Sequence, residues 1–330
     1  MKRRDFLARL ISGAAALPAI AAQSAEPVRR IGVLMGLAEH DPEAELRINA
    51  LRDGLAALGW IEGHTVRIDI RWVPGGVAHL NDAAADLVRQ DPDVLVGVAL
   101  TPARALRHAT QIIPIVFAQV VDPVGAGLVH SLAHPGGNAT GFTTFEFSLG
   151  GKWFDLLREV VPDMRRALAI LDSSSPSGAR EYEALQTAAT VAGIQPTLAA
   201  VSQIADIEHA FASFAAEPGR GAVVVLTGPL LVAHRDVLAG LALRYRIPAI
   251  YPYRYNVVSG GLMSYGADTV DPLRHGVASY IDRILRGQKP ADLPVQAATK
   301  LQLVINLKTA QMLGLTIPAT ILARADEVIE

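Results

Sequence analysis

The chain has 330 residues, 51% hydrophobic and 19% charged, which is long for one domain, comfortable for two, and apolar enough to bury a sizeable core. Its net charge of −2 gives no electrostatic case for nucleic acid, and with no cysteine it has no disulfide, thiolate metal site or cysteine nucleophile.

Lys2, Arg3 and Arg4 precede an alanine-rich apolar run, LISGAAALPAIAA, and small residues follow in AIAAQSA. That order of basic region, apolar region and A-x-A-like site predicts an export signal peptide over residues 1–25. The Arg3–Arg4 pair, with Phe6 and Leu7 after it, resembles a twin-arginine signal; the general secretory route is the alternative. Cleavage removes Lys2, Arg3, Arg4, Arg9 and Asp5 and takes the net charge from −2 to −5. No other stretch approaches about 18 uninterrupted apolar residues. With no cysteine to carry a lipid, the expectation is a soluble protein of the periplasm.

From Arg30 onward strand and helix patterns alternate. RIGVLM reads as a strand, and Ile48, Leu51, Leu55 and Leu58 recur at helical spacing before Gly59. TVRIDIRW alternates as a strand, LNDAAADLVRQ reads as a helix and VLVGVA as a buried strand. In TPARALRHATQ, Thr101 and Pro102 read as an N-cap and the first helical residue, and PIVFA is a fourth strand. After HPGGNATGF the pattern restarts: helix LGGKWFDLLREVV, strand ALAILD, helix SGAREYEALQTAATVAG, strand TLAAV, helix IEHAFASFAAE and strand AVVVLTG. A helix over LLVAHRDVLAGLALRY and a strand IPAIY follow. The last part holds a strand GGLMSYG, a helix PLRHGVASYIDRILRG, a strand LQLVINL and a helical tail. The order predicts an α/β fold of two doubly wound parallel-sheet lobes joined by a hinge. The first lobe is expected over 28–142 with part of 263–330, and the second over 143–262.

Gly125 and Gly127 in VVDPVGAGLV suggest a dinucleotide loop, but the third glycine position holds His130 and the motif does not follow the first strand. There is no GxxxxGK[ST], no G-x-S-x-G and no HExxH, so nucleotide, nucleophile-elbow and zinc chemistry lack support, and neither a metal nor a cofactor is expected. What remains is chemistry at the carboxyl ends of strands, where open α/β sheets bind ligands. Thr101 either holds an anion at a helix start or simply caps the helix. Asp122 either meets a ligand ammonium or ends its strand in an Asx-Pro turn. Ser173 to Ser175 either donate to a ligand or cap a helix. Tyr251, Tyr253, Tyr255 and Tyr265 are four of the seven tyrosines, in fifteen residues, and suit a pocket or cross-strand packing.

Four stretches together carry a resemblance: LAALGWIEGHTVRIDIRW, IPIVFAQVVDPVGAGLVHSLAHPGGNATGF, IPAIYPYRYNVVSGGLMSYGAD and LQLVINLKTAQMLGLTIPATILARADEVIE. The chain from Arg30 to Glu330 resembles the ABC-transporter substrate-binding proteins of the tryptophan/tyrosine type, a branch of the type I periplasmic binding protein fold. The resemblance implies a small-molecule ligand in an inter-lobe cleft and delivery to a membrane permease with its ATPase. A monomer that is not an enzyme is expected. The family's cleft loops fall on Gly36–Leu37, Thr101, Gln119 to Asp122, Ser173–Ser174, Tyr251–Tyr253 and Tyr265–Asp268. Members often carry a shorter polar side chain where Tyr253 stands. The ligand expected is an aromatic or other amino acid, or a related carboxylate. The alternatives are a sensory solute receptor and an exported isomerase-type enzyme on the same scaffold.

Overall fold

The computed structural model describes residues 28–74, 79–144, 149–298 and 300–330. The expected signal peptide lies outside them. Five strands of the first half, β1 (Arg29–Met35), β2 (Val66–Trp72), β3 (Val94–Val98), β4 (Ile115–Val120) and β5 (Ala139–Thr143), pair in parallel in the order β5-β4-β3-β1-β2. Helices α1 (Pro42–Ala57), α2 (Leu80–Arg89) and α3 (Leu100–Ala109) cover the sheet. Covering both faces explains why VLVGV of β3 is buried at every position and shows no alternation. The first helix starts where Asp41 accepts the Glu43 N–H and Pro42 takes the first position.

The second half repeats the scheme. The strands β6 (Arg166–Asp172), β7 (Gln195–Val201), β8 (Gly221–Val225), β9 (Ala249–Tyr251) and β10 (Met263–Ala267) alternate with α4 (Gly150–Val160), α5 (Gly178–Val191), α6 (Ile204–Ala216), α7 (Pro229–Ala233), α8 (Arg235–Arg244) and α9 (Arg254–Val258). The helix expected over LLVAHRDVLAGLALRY is broken at His234 into α7 and α8. The second sheet does not stop at 262. It takes in β10, and β12 (Leu301–Asn306) pairs antiparallel with it. The tail, expected as helix, holds α11 (Leu307–Met312) and α12 (Ala319–Leu322) and then a short parallel strand, β13 (Glu327–Ile329), beside β12.

Between β10 and β12 the chain returns to the first lobe. A π-helical segment, Pro272–Val277, runs into α10 (Ala278–Leu285), and both pack on α1. Gly54 permits that contact, since a Cβ there would lie 1.9 Å from the Arg274 carbonyl oxygen. A two-residue strand, β11 (Gln296–Ala297), then joins the first sheet beside β5. The chain therefore passes between the lobes three times, after β5, after β10 and after β11. These passages are tied together: Ala298 N–H donates to Thr143 C=O at 2.9 Å, and Asp268 N–H to Lys300 C=O at 3.0 Å. Each lobe has apolar clusters on both sides of its sheet, with Phe117, Phe154 and Phe211 fully buried. Each such side chain contributes about 1.5–3 kcal/mol of transfer free energy.

Candidate ligand-binding cleft

The carboxyl ends of both sheets face one another, and an apolar-lined cavity lies between them. Its space, counted out to the mouth, is about 780 Å³, within the range of about 300–1,000 Å³ that holds small organic ligands. Lobe one contributes Leu37 after β1, Ala99 to Thr101 after β3, and Gln119 and Val121 around the end of β4. Lobe two contributes Ser175 and Ser177 after β6, Thr227 to Pro229 after β8, and Tyr253 and Tyr255 after β9. Every polar group on this surface is placed by the end of a strand or the start of a helix, except one.

That exception is Arg47, on the inner face of α1. It is the charged side chain of the cavity lining among the described residues. Its Nε donates to Glu43 Oε1 at 2.9 Å, and both side chains are nearly fully buried. Its guanidinium stands 5.6 Å from the centre of the Tyr255 ring. Arg235, from lobe two, stands at 5.9 Å from that ring centre and pairs with Asp41 of lobe one at 2.8 Å. Tyr253 stacks on Tyr255 with ring centres 5.3 Å apart. Burial pushes the Tyr255 hydroxyl up, against the Arg47 guanidinium beside it.

Two residues on the cleft surface hold backbone conformations that favour glycine. Ala99 has φ 82° and Gln119 has φ 57°. Ala99, not Thr101, is the N-cap of α3; Thr101 lies inside the first turn, with its side chain toward the cavity. Gln119 sits where the β4–β5 register shifts, and its amide donates to the Thr269 carbonyl at 2.7 Å, joining β4 to the second passage between lobes. Unusual backbone at two neighbouring cleft positions is the kind of cost that a binding site retains.

Of the residues singled out from sequence, Leu37, Thr101, Gln119, Ser175, Tyr253 and Tyr255 meet on the cavity surface. Asp122 stands outside that lining. Its Oδ1 accepts the Gly125 N–H at 2.9 Å, making the turn, and its Oδ2 pairs with Arg180 of α5 across the mouth. The Gly-x-Gly that follows makes consecutive turns, with Gly127 at φ 71°. Ser173 and Ser174 are exposed, and Ser174 donates to Asp172 beside a neighbouring groove; of that serine run the cavity takes Ser175, with Ser177 beyond it. Tyr251 is fully buried in the core of lobe two, away from the cleft. Tyr265 packs against the other core cluster, where its carbonyl accepts the Trp153 indole N–H at 2.7 Å.

Asp268 also stands apart from the cavity, as a pin between passages. It accepts the N–H groups of Val270 and Asp271, the Gln302 amide at 2.8 Å and the Lys300 ammonium at 2.9 Å. Burial works to raise its pKa, but these donors and the Lys300 charge together hold the carboxyl below the usual carboxylate range.

Glu181 lies just behind the lobe-two wall, 4% exposed. It accepts the Ser177 hydroxyl at 2.6 Å, the Thr227 hydroxyl, and the Thr227 N–H at 3.0 Å. Burial pushes this carboxyl up, against those three hydrogen bonds. Sequence reasoning missed Arg47 and Glu181; the signals available were the i,i+4 spacings Glu43–Arg47 and Ser177–Glu181 and the position of Arg47 in line with Leu51 and Leu55. No group of three potential metal ligands occurs among the described residues.

This arrangement matches known proteins over nearly all of its length. The family model described as ABC transporter substrate binding protein matches residues 30–329. A protein of Clostridioides difficile (strain R20291) named tyrosine-binding protein is 25% identical over 287 residues, 87% of this chain and 81% of that protein. A conserved domain protein of Vibrio cholerae superposes with a TM-score of 0.84 at 32% identity, covering 91% of this chain and 99% of the other. An ABC domain of Streptococcus pneumoniae, crystallised in complex with L-Trp, gives a TM-score of 0.84 at 29% identity with the same coverages, 91% and 99%. With two mostly parallel sheets facing across a cleft and a family match from end to end of the described fold, this chain belongs to the ABC transporter substrate-binding proteins.

Proposed function

We propose that this chain is exported to the periplasm and serves an ABC-type uptake system, holding an aromatic amino acid or a related carboxylate between its lobes for delivery to a permease with its ATPase. The observation that carries this reading is the cleft lining: one cation, Arg47, beside two stacked tyrosine rings, and no acid among the described residues. Arg47 and the N-terminus of α3 offer N–H donors and positive potential to a carboxylate. Tyr253, Tyr255, Leu37 and Val232 give a ring an apolar bed. The tyrosine and L-Trp in the descriptions of two relatives support the same ligand class.

The role proposed is binding by closure, without turnover. The lobes, 28–144 with 272–298 and 149–268 with 300–330, pivot about the three passages. A thermal-shift panel of aromatic amino acids, their desamino acids and unrelated sugars tests the ligand class. Aromatic carboxylates are expected to raise the melting temperature, by about 2.7 kcal/mol of stabilisation at a hundred times Kd. Stabilisation by sugars alone would contradict the reading. Export is tested by fractionation: Arg3→Lys with Arg4→Lys is expected to strand the precursor in the cytoplasm, and normal export of that variant would exclude the twin-arginine route.

A further inference from the structure

Two residues of the cleft surface lead to one point in the second passage between lobes. Gln119 donates its amide to the Thr269 carbonyl at 2.7 Å. Arg47 reaches the same residue in two steps. Its Nε donates to Glu43 Oε1 at 2.9 Å, and that oxygen also accepts the Thr269 hydroxyl at 2.6 Å. Thr269 is buried and stands outside the cavity lining. Its side chain and its carbonyl are thus both fastened to lobe one. The residues before it are fastened to the other lobe. Ala267 ends β10 in register with Leu301 of β12, and Asp268 takes the Gln302 amide at 2.8 Å and the Lys300 ammonium at 2.9 Å. The change from one lobe's hold to the other falls between Asp268 and Thr269. Three residues later the π-helical segment begins, a winding that recurs at functional sites. At the other end of the path, the Arg47 guanidinium stands 5.6 Å from the centre of the Tyr255 ring of lobe two. Hydrogen bonds therefore connect the hinge to the cation that faces the opposite lobe.

We propose that Thr269 is a positioning residue that ties the pivot of the second passage to the cleft: its hydroxyl on Glu43 and its carbonyl under Gln119 confine the bend to the Asp268–Thr269 link, so that each closure returns Arg47 and Gln119 to the same place against lobe two. Thr269 does not touch the ligand. Hinges absorb their rotation in a few residues, and a residue held by two hydrogen bonds on one side of the bend fixes where that rotation occurs. Without the Glu43 tie the bend spreads into residues 269–271, and the two cleft side chains lose their common reference. Coupling of this kind is reciprocal, so a ligand held by Arg47 also steadies the hinge through Glu43. The effect on ligand affinity rests on the reading of the cleft as a site for aromatic carboxylates; the effect on the hinge does not.

The chain has no cysteine, so one nitroxide label can be placed in each lobe, on Arg104→Cys and Glu208→Cys, both at exposed positions. Pulsed electron resonance then gives the distribution of inter-lobe distances, with and without L-tryptophan, and titration gives the affinity. Thr269→Val keeps the side-chain shape and removes the hydroxyl. It is expected to broaden the distribution in both states and to weaken L-tryptophan by roughly 2- to 30-fold, the range by which residues that touch no ligand alter coupling. Thr269→Ser keeps the hydroxyl and is expected to restore the wild-type width and affinity. A Thr269→Val distribution as narrow as that of wild type, or an unchanged affinity, would overturn the proposal. So would a Thr269→Ser variant as impaired as Thr269→Val, since the methyl group and not the hydrogen bond would then matter. If Thr269→Val does not fold, Gln119→Asn carries the test. Asparagine suits the left-handed backbone at this position but is one methylene too short for the Thr269 carbonyl. The unliganded distribution should broaden, and an unchanged width would overturn the proposal. Failure of wild type to bind L-tryptophan would remove the ligand reading, and the widths without ligand would still decide the role of Thr269.

Discussion

Replacing Arg47 with methionine separates fold from function in the cleft. Arg47 and Glu43 have side chains 6% and 5% exposed, joined at 2.9 Å, and Glu43 also accepts the Thr269 hydroxyl at 2.6 Å. Removing the cation alone strands the carboxylate, and breaking a buried pair in this way costs about 3–5 kcal/mol. The Thr269 hydroxyl stays with the carboxylate, so Arg47→Met is expected near the lower end, about 3 kcal/mol. Adding Glu43→Gln removes the stranded charge. Exchange of a whole buried pair for neutral side chains is often neutral or stabilising, so the double variant should return to within about 1 kcal/mol of wild type. Ligand binding should not recover with it. Loss of a charge-assisted hydrogen bond to a carboxylate is worth about 1.5–3 kcal/mol, roughly 10- to 100-fold in affinity, in single and double variants alike. Urea unfolding of all four corners of the cycle gives the first quantity, and calorimetric titration with L-tryptophan gives the second. A double variant that regains stability and also binds as wild type would refute the assignment of Arg47 to the ligand.

Three further outcomes follow from the geometry. Ala99 at φ 82° carries strain of about 1–3 kcal/mol. Ala99→Gly should relieve more than the roughly 0.4–1 kcal/mol of chain entropy it adds, so urea unfolding should show a net gain; a loss would place the strain elsewhere. Of the two ion pairs bridging the lobes among the described residues, Asp41–Arg235 has side chains 11% and 16% exposed and Asp122–Arg180 has 17% and 60%. Asp41→Asn, which keeps an oxygen for the Glu43 N–H, should therefore weaken ligand binding by about 1–2 kcal/mol, and Asp122→Asn by less than about 1. The reverse order in titration would remove the closure argument. Because the Asp268 pKa is depressed by folding, its contribution is present above the unfolded value of about 3.9 and is lost as pH falls through the folded value. Asp268→Asn should thus lose less stability than wild type between neutral pH and pH ~3, and equal losses in urea unfolding at both pH values would contradict the role given to Asp268.

The alternation of strands and helices was legible because parallel strands buried on both faces read as apolar runs such as VLVGV, and covering helices read as periodic stripes such as Ile48, Leu51 and Leu55. β5 was obscured by the glycines and asparagine of HPGGNATGF, and β11 and β13 are too short to show a period. The cleft was legible as an edge, since strand ends mark it, but not side chain by side chain. Tyr251 and Tyr253 are two residues apart, yet one is in the core and the other on the cleft, because β9 ends between them. Asp122 reads equally as a ligand acid and as an Asx turn, and its placement depends on Arg180, 58 residues away in sequence. Arg47 was hidden because a charged residue on a helix ordinarily faces water; only the third dimension turns this one inward.

If the space between the lobes holds an aromatic amino acid by its carboxylate, binding must depend on Arg47. Isothermal titration of the chain, freed of residues 1–25 and of any carried ligand, with L-tryptophan and L-tyrosine tests it most directly. Saturable binding of one ligand per chain is expected, at least about tenfold weaker after Arg47→Met with Glu43→Gln. No saturable binding of either amino acid, or binding indifferent to that double substitution, would contradict it.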